Sequence, residues 1–144
     1  MDQLLEFAGN HPYLVTAAVV LLAATVVAEI KARAAQGLML GAMDATRAAN
    51  RGGLIIDVRD AENYARGHLA GARHVPLKEL PAAAAELSKH RAKPVLICCE
   101  TGSDSIRAVR ALRDSGFEQA YGLKDGVAGW RRENLPLVEG TAKG

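Results

Sequence analysis

Apolar residues fall into two regimes along the chain. From Phe7 to Ala28 there is no Asp, Glu, Lys or Arg. The core of that run, Pro12–Ala28, reads PYLVTAAVVLLAATVVA and is apolar on every side. As a helix it would be about 25 Å long, at ~1.5 Å per residue. A bilayer core asks for roughly 17–25 such residues. The pattern therefore predicts one transmembrane helix at about 12–28. Pro12 suits the first turn, where its missing N–H costs nothing. Tyr13 belongs at the interface level, and Thr16 and Thr25 can return their hydroxyls to the helix backbone. Two other readings stay open. A cleaved signal peptide needs a basic start, whereas this start carries Asp2 and Glu6. A buried core helix would rarely be uncharged all round at this length. No Lys or Arg precedes the span, while Lys31, Arg33, Arg47 and Arg51 follow it. The excess of positive charge places the C-terminal side in the cytoplasm and the N-terminus outside.

Beyond residue 30 the apolar runs become short and alternate with helical stretches. Residues 31–43 read as a helix end and a linker. Asp44 can cap a short helix to about Asn50, which an Arg-Gly-Gly turn ends. Leu54-Ile55-Ile56-Asp57-Val58 suits a buried parallel strand. Residues 60–66 form a helical turn, and His74-Val75 is a second extended stretch. Residues 78–90 read as an Ala-rich helix with Pro81 in its first turn. Val95-Leu96-Ile97-Cys98 is another buried strand. Ser105–Ser115 is helical, with Gly116 at the position after the cap. Ala120-Tyr121-Gly122-Leu123 is the last strand, and 124–144 reads as turns and a frayed tail. Strands alternating with helices imply an α/β domain, a parallel sheet covered on both faces.

Composition narrows the function. The chain has 144 residues, enough for one ordinary domain and the helix. Aromatics are 4%, too few for a base-stacking surface, and the net charge of +2 leaves no electrostatic footprint for nucleic acid. Two cysteines and four histidines show no metal-ligand spacing. Cys98 and Cys99 are adjacent, poor geometry for a bridge, and a cytoplasmic domain would keep them reduced.

Cys99 closes a buried strand and is followed by Glu100-Thr101-Gly102-Ser103-Asp104, with a helix from Ser105. Ligand sites of open α/β sheets lie beyond the carboxyl ends of strands. A helix N-terminus there offers unpaired N–H groups and positive dipole charge. A thiol in that setting becomes a nucleophile. Thr101, Gly102 and Ser103 are small enough to let backbone N–H groups turn toward the sulfur. The alternative is that both cysteines are merely buried apolar residues. Cys98 fits that alternative, because alternation turns it away from Cys99; for Cys99 spacing alone leaves both open.

Three segments together resemble the rhodanese-homology domain. The first is Asp57-Val58-Arg59, Glu62-Asn63-Tyr64 and Gly67-His68-Leu69-Ala70-Gly71-Ala72-Arg73-His74-Val75-Pro76-Leu77. The second is the Cys99 loop and the helix after it. The third is Gly122-Leu123-Lys124-Asp125-Gly126-Val127-Ala128-Gly129-Trp130 with Leu135-Pro136-Leu137. With the membrane helix, the chain is similar to single-pass bacterial membrane proteins of this family. The resemblance implies a rhodanese-like five-stranded parallel sheet with helices on both faces, preceded by one transmembrane helix. It divides the chain into 1–35 with the membrane helix, a linker 36–43, the rhodanese domain 44–138 and a tail 139–144. It implies an inner-membrane sulfurtransferase, thiosulfate- or persulfide-dependent and needing no cofactor. Cys99 would be the persulfide carrier, held by a loop of Glu100, Thr101, Gly102, Ser103, Asp104 and Ser105. The partners would be a sulfane-sulfur donor, a thiol acceptor and the membrane. The loop length fits sulfurtransferases rather than the related phosphatases. A second reading is a catalytically weak binding module for membrane proteins.

One position departs from the family pattern: Asp104 stands where Arg or Lys is usual. The loop then holds two acids, Glu100 and Asp104, and no base, a sign adverse to a thiolate and to dianionic thiosulfate. Arg107, one turn along the helix, can compensate in part. Asp57, Arg59 and Glu62 could be substrate ligands or a structural ion-pair network. His68 could be a base for Cys99 or a hydrogen-bonded turn histidine. Trp130 reads as a core anchor, and Gly126 as a positive-φ position.

Overall fold

A computed structural model describes residue 7 and residues 9–141. The acidic start at Asp2 and Glu6, and tail residues 142–144, lie outside the described residues. The chain divides after Gln36 into two compact units.

The first unit contains helix α1, Pro12–Gln36. Within Pro12–Ala35 the most apolar window of 18 residues has mean hydropathy 2.2 and none of it is buried, so the helix is long and apolar enough to cross a membrane. The Thr16 and Thr25 hydroxyls donate to the carbonyls of Pro12 and Leu21, each at 2.8 Å. Each hydroxyl is thereby satisfied without water.

The second unit contains five parallel strands: β1 Met39–Leu40, β2 Leu54–Asp57, β3 Arg73–His74, β4 Val95–Cys98 and β5 Ala120–Leu123. Their spatial order is β1-β5-β4-β2-β3. Helices α2 (Ala42–Asn50), α3 (Ala61–Arg66), α4 (Leu80–Glu86), α5 (Ser103–Asp114) and α6 (Gly126–Arg132) connect or follow them. Period-two alternation splits the core in two. Ile56, Val95, Ile97 and Cys99 pack with Leu80, Leu87, Val109 and Leu112 of the α4–α5 side. Ile55, Leu96 and Cys98 pack with Ala45, Tyr64, Leu69 and Val127 of the opposite side. Both faces are covered, which is why the central strands read as unbroken apolar runs.

The structure corrects several boundaries. The stretch 36–43 is not all linker, because Met39–Leu40 is an edge strand paired with Gly122–Leu123. Gly41, not Asp44, precedes the first turn of α2, and Asp44 lies inside that turn, 3.1 Å from Arg47. Residues 77–90 are a short α4 between two tighter 3₁₀ turns, Leu77–Glu79 and Leu87–His90, rather than one helix. Helix α5 starts two residues earlier than expected, at Ser103. The segment read as closing turns contains α6.

Candidate active site

β4 ends at Cys98, and the chain turns through Cys99–Gly102 into α5, a helix of 12 residues. Gly102 is the hinge of that turn. Its φ of +98° is a left-handed conformation that suits glycine, and its N–H donates to Cys99 Sγ at 2.9 Å. The sulfur thus sits at the amino end of α5, where unpaired N–H groups favour negative charge. Cys99 is buried, with 2% of its surface exposed. Cys98 is fully buried on the other face; burial pushes its thiol well up, and the charges of Asp57 and Cys99 add to the shift.

The loop is held from behind by α6. Val127 and Ala128 donate their N–H groups to the carbonyls of Cys99 and Glu100, at 2.9 and 3.0 Å. A Cβ on Gly126 would lie 2.4 Å from both carbonyl oxygens, so only glycine lets α6 approach this closely. The positive φ expected there is present at +59°, but the close approach is the stronger requirement.

Charged side chains tie the loop to the neighbouring strand. Arg59 is buried and pairs with Asp57 at 2.7 Å, with Glu100 at 2.9 Å and with the Gly67 carbonyl at 2.7 Å. Burial opposes its charge, yet the hydrogen bonds and charge of Asp57, then of Glu100, outweigh burial and raise its pKa. Glu100 also accepts from Arg131 at 3.1 Å. Asp104 is paired with Arg107 at 2.6 Å. Each loop acid therefore has an arginine partner: Arg107 for Asp104, as the sequence allowed, and Arg59 and Arg131 for Glu100, which it did not show.

Of the residues expected at the site, Cys99, Glu100 and Gly102 converge, with Asp57 and Arg59 supporting them. Thr101 and Ser103 are exposed, their hydroxyls 3.4 Å apart. Ser105 is buried and donates to the Ile97 carbonyl at 3.2 Å, so it packs α5 on the sheet. His68 is not placed as a base for Cys99. Its Nδ1 lies 2.9 Å from the Tyr64 carbonyl, its ring stacks on Tyr64, and its backbone bridges to Val138. Trp130 is half-buried and donates to the Pro136 carbonyl at 3.0 Å. Sequence reasoning missed Arg131, because a contact spanning 31 residues leaves no local signal. A cavity of about 550 Å³ opens at the carboxyl ends of β2 and β3, lined by Val58, Arg59, His74, Pro76 and Leu77 among others, but not by residues 99–105.

Residues 41–133 match the description Rhodanese-like domain. The chain belongs to the rhodanese-like domain family. It is 36% identical to YibN of Escherichia coli (strain K12) over 97% of this chain and 99% of that one. It is 37% identical to the thiosulfate sulfurtransferase GlpE of Stutzerimonas stutzeri (strain A1501), over 62% of this chain and 81% of that one. Among solved structures, a rhodanese-related protein from Thermoplasma volcanium superposes with a TM-score of 0.63 at 25% identity, covering 69% of this chain and 96% of that one. The rhodanese-like domain of an Anabaena sp. protein superposes with a TM-score of 0.63 at 28% identity, covering 71% and 79%. Rhodanese relatives thus include named sulfurtransferases, and the strand order and helix placement described above are a rhodanese-like fold.

Proposed function

We propose that the protein is a membrane-anchored sulfurtransferase that carries sulfane sulfur on Cys99. The observation that carries this reading is the Gly102 N–H donated to Cys99 Sγ at 2.9 Å, at the amino end of α5. The Cys99 thiolate attacks the outer sulfur of a donor S–S bond. That bond breaks, and its electron pair leaves with sulfite from thiosulfate or with a thiolate from a persulfide. The new Cys99 persulfide is then attacked at its outer sulfur by an acceptor thiolate. Cys99 leaves as thiolate, and no net oxidation or reduction occurs. Loop N–H groups stabilise the anionic outer sulfur between the two transfers. Helix α1 would hold the domain at the inner membrane as a single pass, with the N-terminus outside and the domain in the cytoplasm.

The test is the intact mass of the full chain after incubation with thiosulfate or with an alkyl persulfide. A gain of about 32 Da, lost in Cys99→Ala, supports transfer. No gain with either donor sinks it and favours the second reading, a non-catalytic docking module for membrane proteins. Asp104 is the observation behind that second reading, since it stands where the family usually has a base.

A further inference from the structure

The two ends of the sheet differ in how their arginines are used, Lys124 at the Cys99 end being without a carboxylate partner among the described residues. At the Cys99 end, Arg59, Arg107, Arg131 and Arg132 all lie within 4.0 Å of a carboxylate. At the amino end, Arg51, Lys89, Arg91, Lys93 and Arg113 have no carboxylate that close among the described residues. Among the described residues the ion pairs beside them join Arg47 to Asp44 at 3.1 Å and Arg73 to Glu86 at 3.7 Å. These cations come from segments that meet below the strands: the end of α2, the loop entering β4 and the end of α5. The segments are joined to one another. Arg113 donates to the Ala120 carbonyl at 3.1 Å and lies over the Tyr121 ring, Gln119 donates to the Ala92 carbonyl, and Arg91 lies over Phe117. A recess of about 270 Å³ at this end is walled by Arg47, Arg51, Gln119 and Tyr121, with Asp44 also on its wall. Besides Asp44, the acids in or beside these segments are Glu86, which pairs with Arg73, Asp114 and Glu118, so with Arg73 counted the bases outnumber the acids seven to four.

Basic residues at helix ends are ordinary complements of the helix dipole. Here they cluster from three segments, and the chain path brings them a partner. Helix α1 ends at Gln36, and β1 opens at Met39. Only Gly37 and Leu38 intervene, and the chain enters the sheet running from its amino end. We propose that this basic end docks on the phosphates of anionic lipid headgroups in the bilayer that α1 spans. The proposal rests on the membrane reading of α1. Anionic leaflets attract basic segments, and the attraction fades over roughly 8 Å at physiological ionic strength. The apolar span ends near Ala28, and residues 29–36 of the helix with Gly37-Leu38 join it to the sheet, a short link that makes the encounter intramolecular, so weak contacts suffice. Docking by this end would leave the Cys99 loop, at the opposite end of the strands, open to donors and acceptors in solution.

The experiment uses the full chain in nanodiscs, either of phosphatidylcholine alone or with about one third phosphatidylglycerol, followed by backbone hydrogen exchange. Anionic discs are expected to slow exchange about threefold or more at residues 50–53, 88–94 and 113–119, and to leave 100–104 unchanged. The protection should vanish in ~0.5 M salt. It should also vanish in a variant carrying Arg51→Gln, Lys89→Gln and Lys93→Gln, which keeps the packed Arg91 and Arg113 and so should keep the wild-type melt. If the triple variant does not fold, Lys93→Glu alone should weaken the protection. Equal exchange in the two lipids overturns the proposal while leaving the membrane reading intact. A chain that does not enter discs at all overturns the membrane reading and the docking with it. Protection by soluble polyglutamate but not by anionic discs would assign the surface to an acidic protein instead.

Discussion

Cys98 and Cys99 are neighbours in sequence with different surroundings. Cys98 points into the α2–α3–α6 side of the core, and its raised pKa keeps it a protonated, inert thiol. Cys99 receives the Gly102 N–H. Native chain treated with iodoacetamide near pH 8 should therefore label at Cys99 only, and denatured chain at both. Cys99→Ala should abolish transfer, whereas Cys98→Ala should keep it at a stability cost of about 1 kcal/mol. Peptide mapping and turnover decide this; labelling at Cys98 in the native chain would sink it. Asp104 gives a second prediction. Every arginine at the loop is already paired, so none is free for the sulfonate oxygens of thiosulfate. Asp104→Arg releases Arg107, removes an acid and adds planar donors. Thiosulfate kcat/KM should rise about tenfold, equivalent to ~1.4 kcal/mol. A wild-type enzyme as fast with thiosulfate as this variant would refute the electrostatic argument. At this scale the place of Cys99 at the strand end and the turning of a loop N–H toward its sulfur were legible, because strand, loop and helix are consecutive; that Gly102 is the hinge was not. The partners of Glu100 were not, since Arg59 and Arg131 reach it across 41 and 31 residues.

Element boundaries were legible where local chemistry decides them. Helix α3 follows Asp60, whose carboxylate accepts the Asn63 backbone N–H at 2.8 Å and the Asn63 side chain at 2.8 Å. Those bonds, the backbone one first, hold the Asp60 pKa below its ordinary value. A lowered carboxyl pKa adds stability that is fully present above the unfolded value of about 3.9 and is lost as pH falls through the folded value. Asp60→Ala should therefore lower Tm at pH 7, and the gap from wild type should close on acidification below about pH 4. A gap independent of pH would show that the cap does not act through the carboxylate. Elements set by tertiary contact were not legible. Strand β1 has two residues, too few for a periodicity, and exists because Gly122 and Lys124 donate to the carbonyls of Leu38 and Leu40. Helix α6 was hidden by Gly126 and Gly129, poor helix formers. At Gly126 the chain needs glycine for the backbone approach to Cys99 rather than for a turn.

At the scale of the whole molecule, the division after Gln36 and the place of β1 determine what can stand alone. Residues 37–144 carry all five strands and both core clusters, so they should fold cooperatively without α1. A chain starting at Asp44 lacks β1 and the first residues of α2, and it leaves β5 as an unpaired edge. Its Tm should fall by at least about 5 °C, with more aggregation, since ~1 kcal/mol moves a domain of this size by roughly that amount. Equal melts from the two start points would mean that β1 adds nothing to the fold. The membrane arrangement carries the last prediction. Phe7 to Ala28 holds no charge, no Lys or Arg precedes it, and Lys31 and Arg33 follow within a few residues. Short-range Lys/Arg asymmetry of this kind sets the orientation of a single helix. Reporter fusions after residue 144 should be active as cytoplasmic reporters and silent as periplasmic ones, and protease added outside spheroplasts should spare the domain. Adding two or three lysines before Pro12 should erode that preference, because the rule counts basic residues on both sides. A domain digested from outside would reverse the orientation, and it would also place Cys99 in an oxidising compartment, where a free thiol is not maintained.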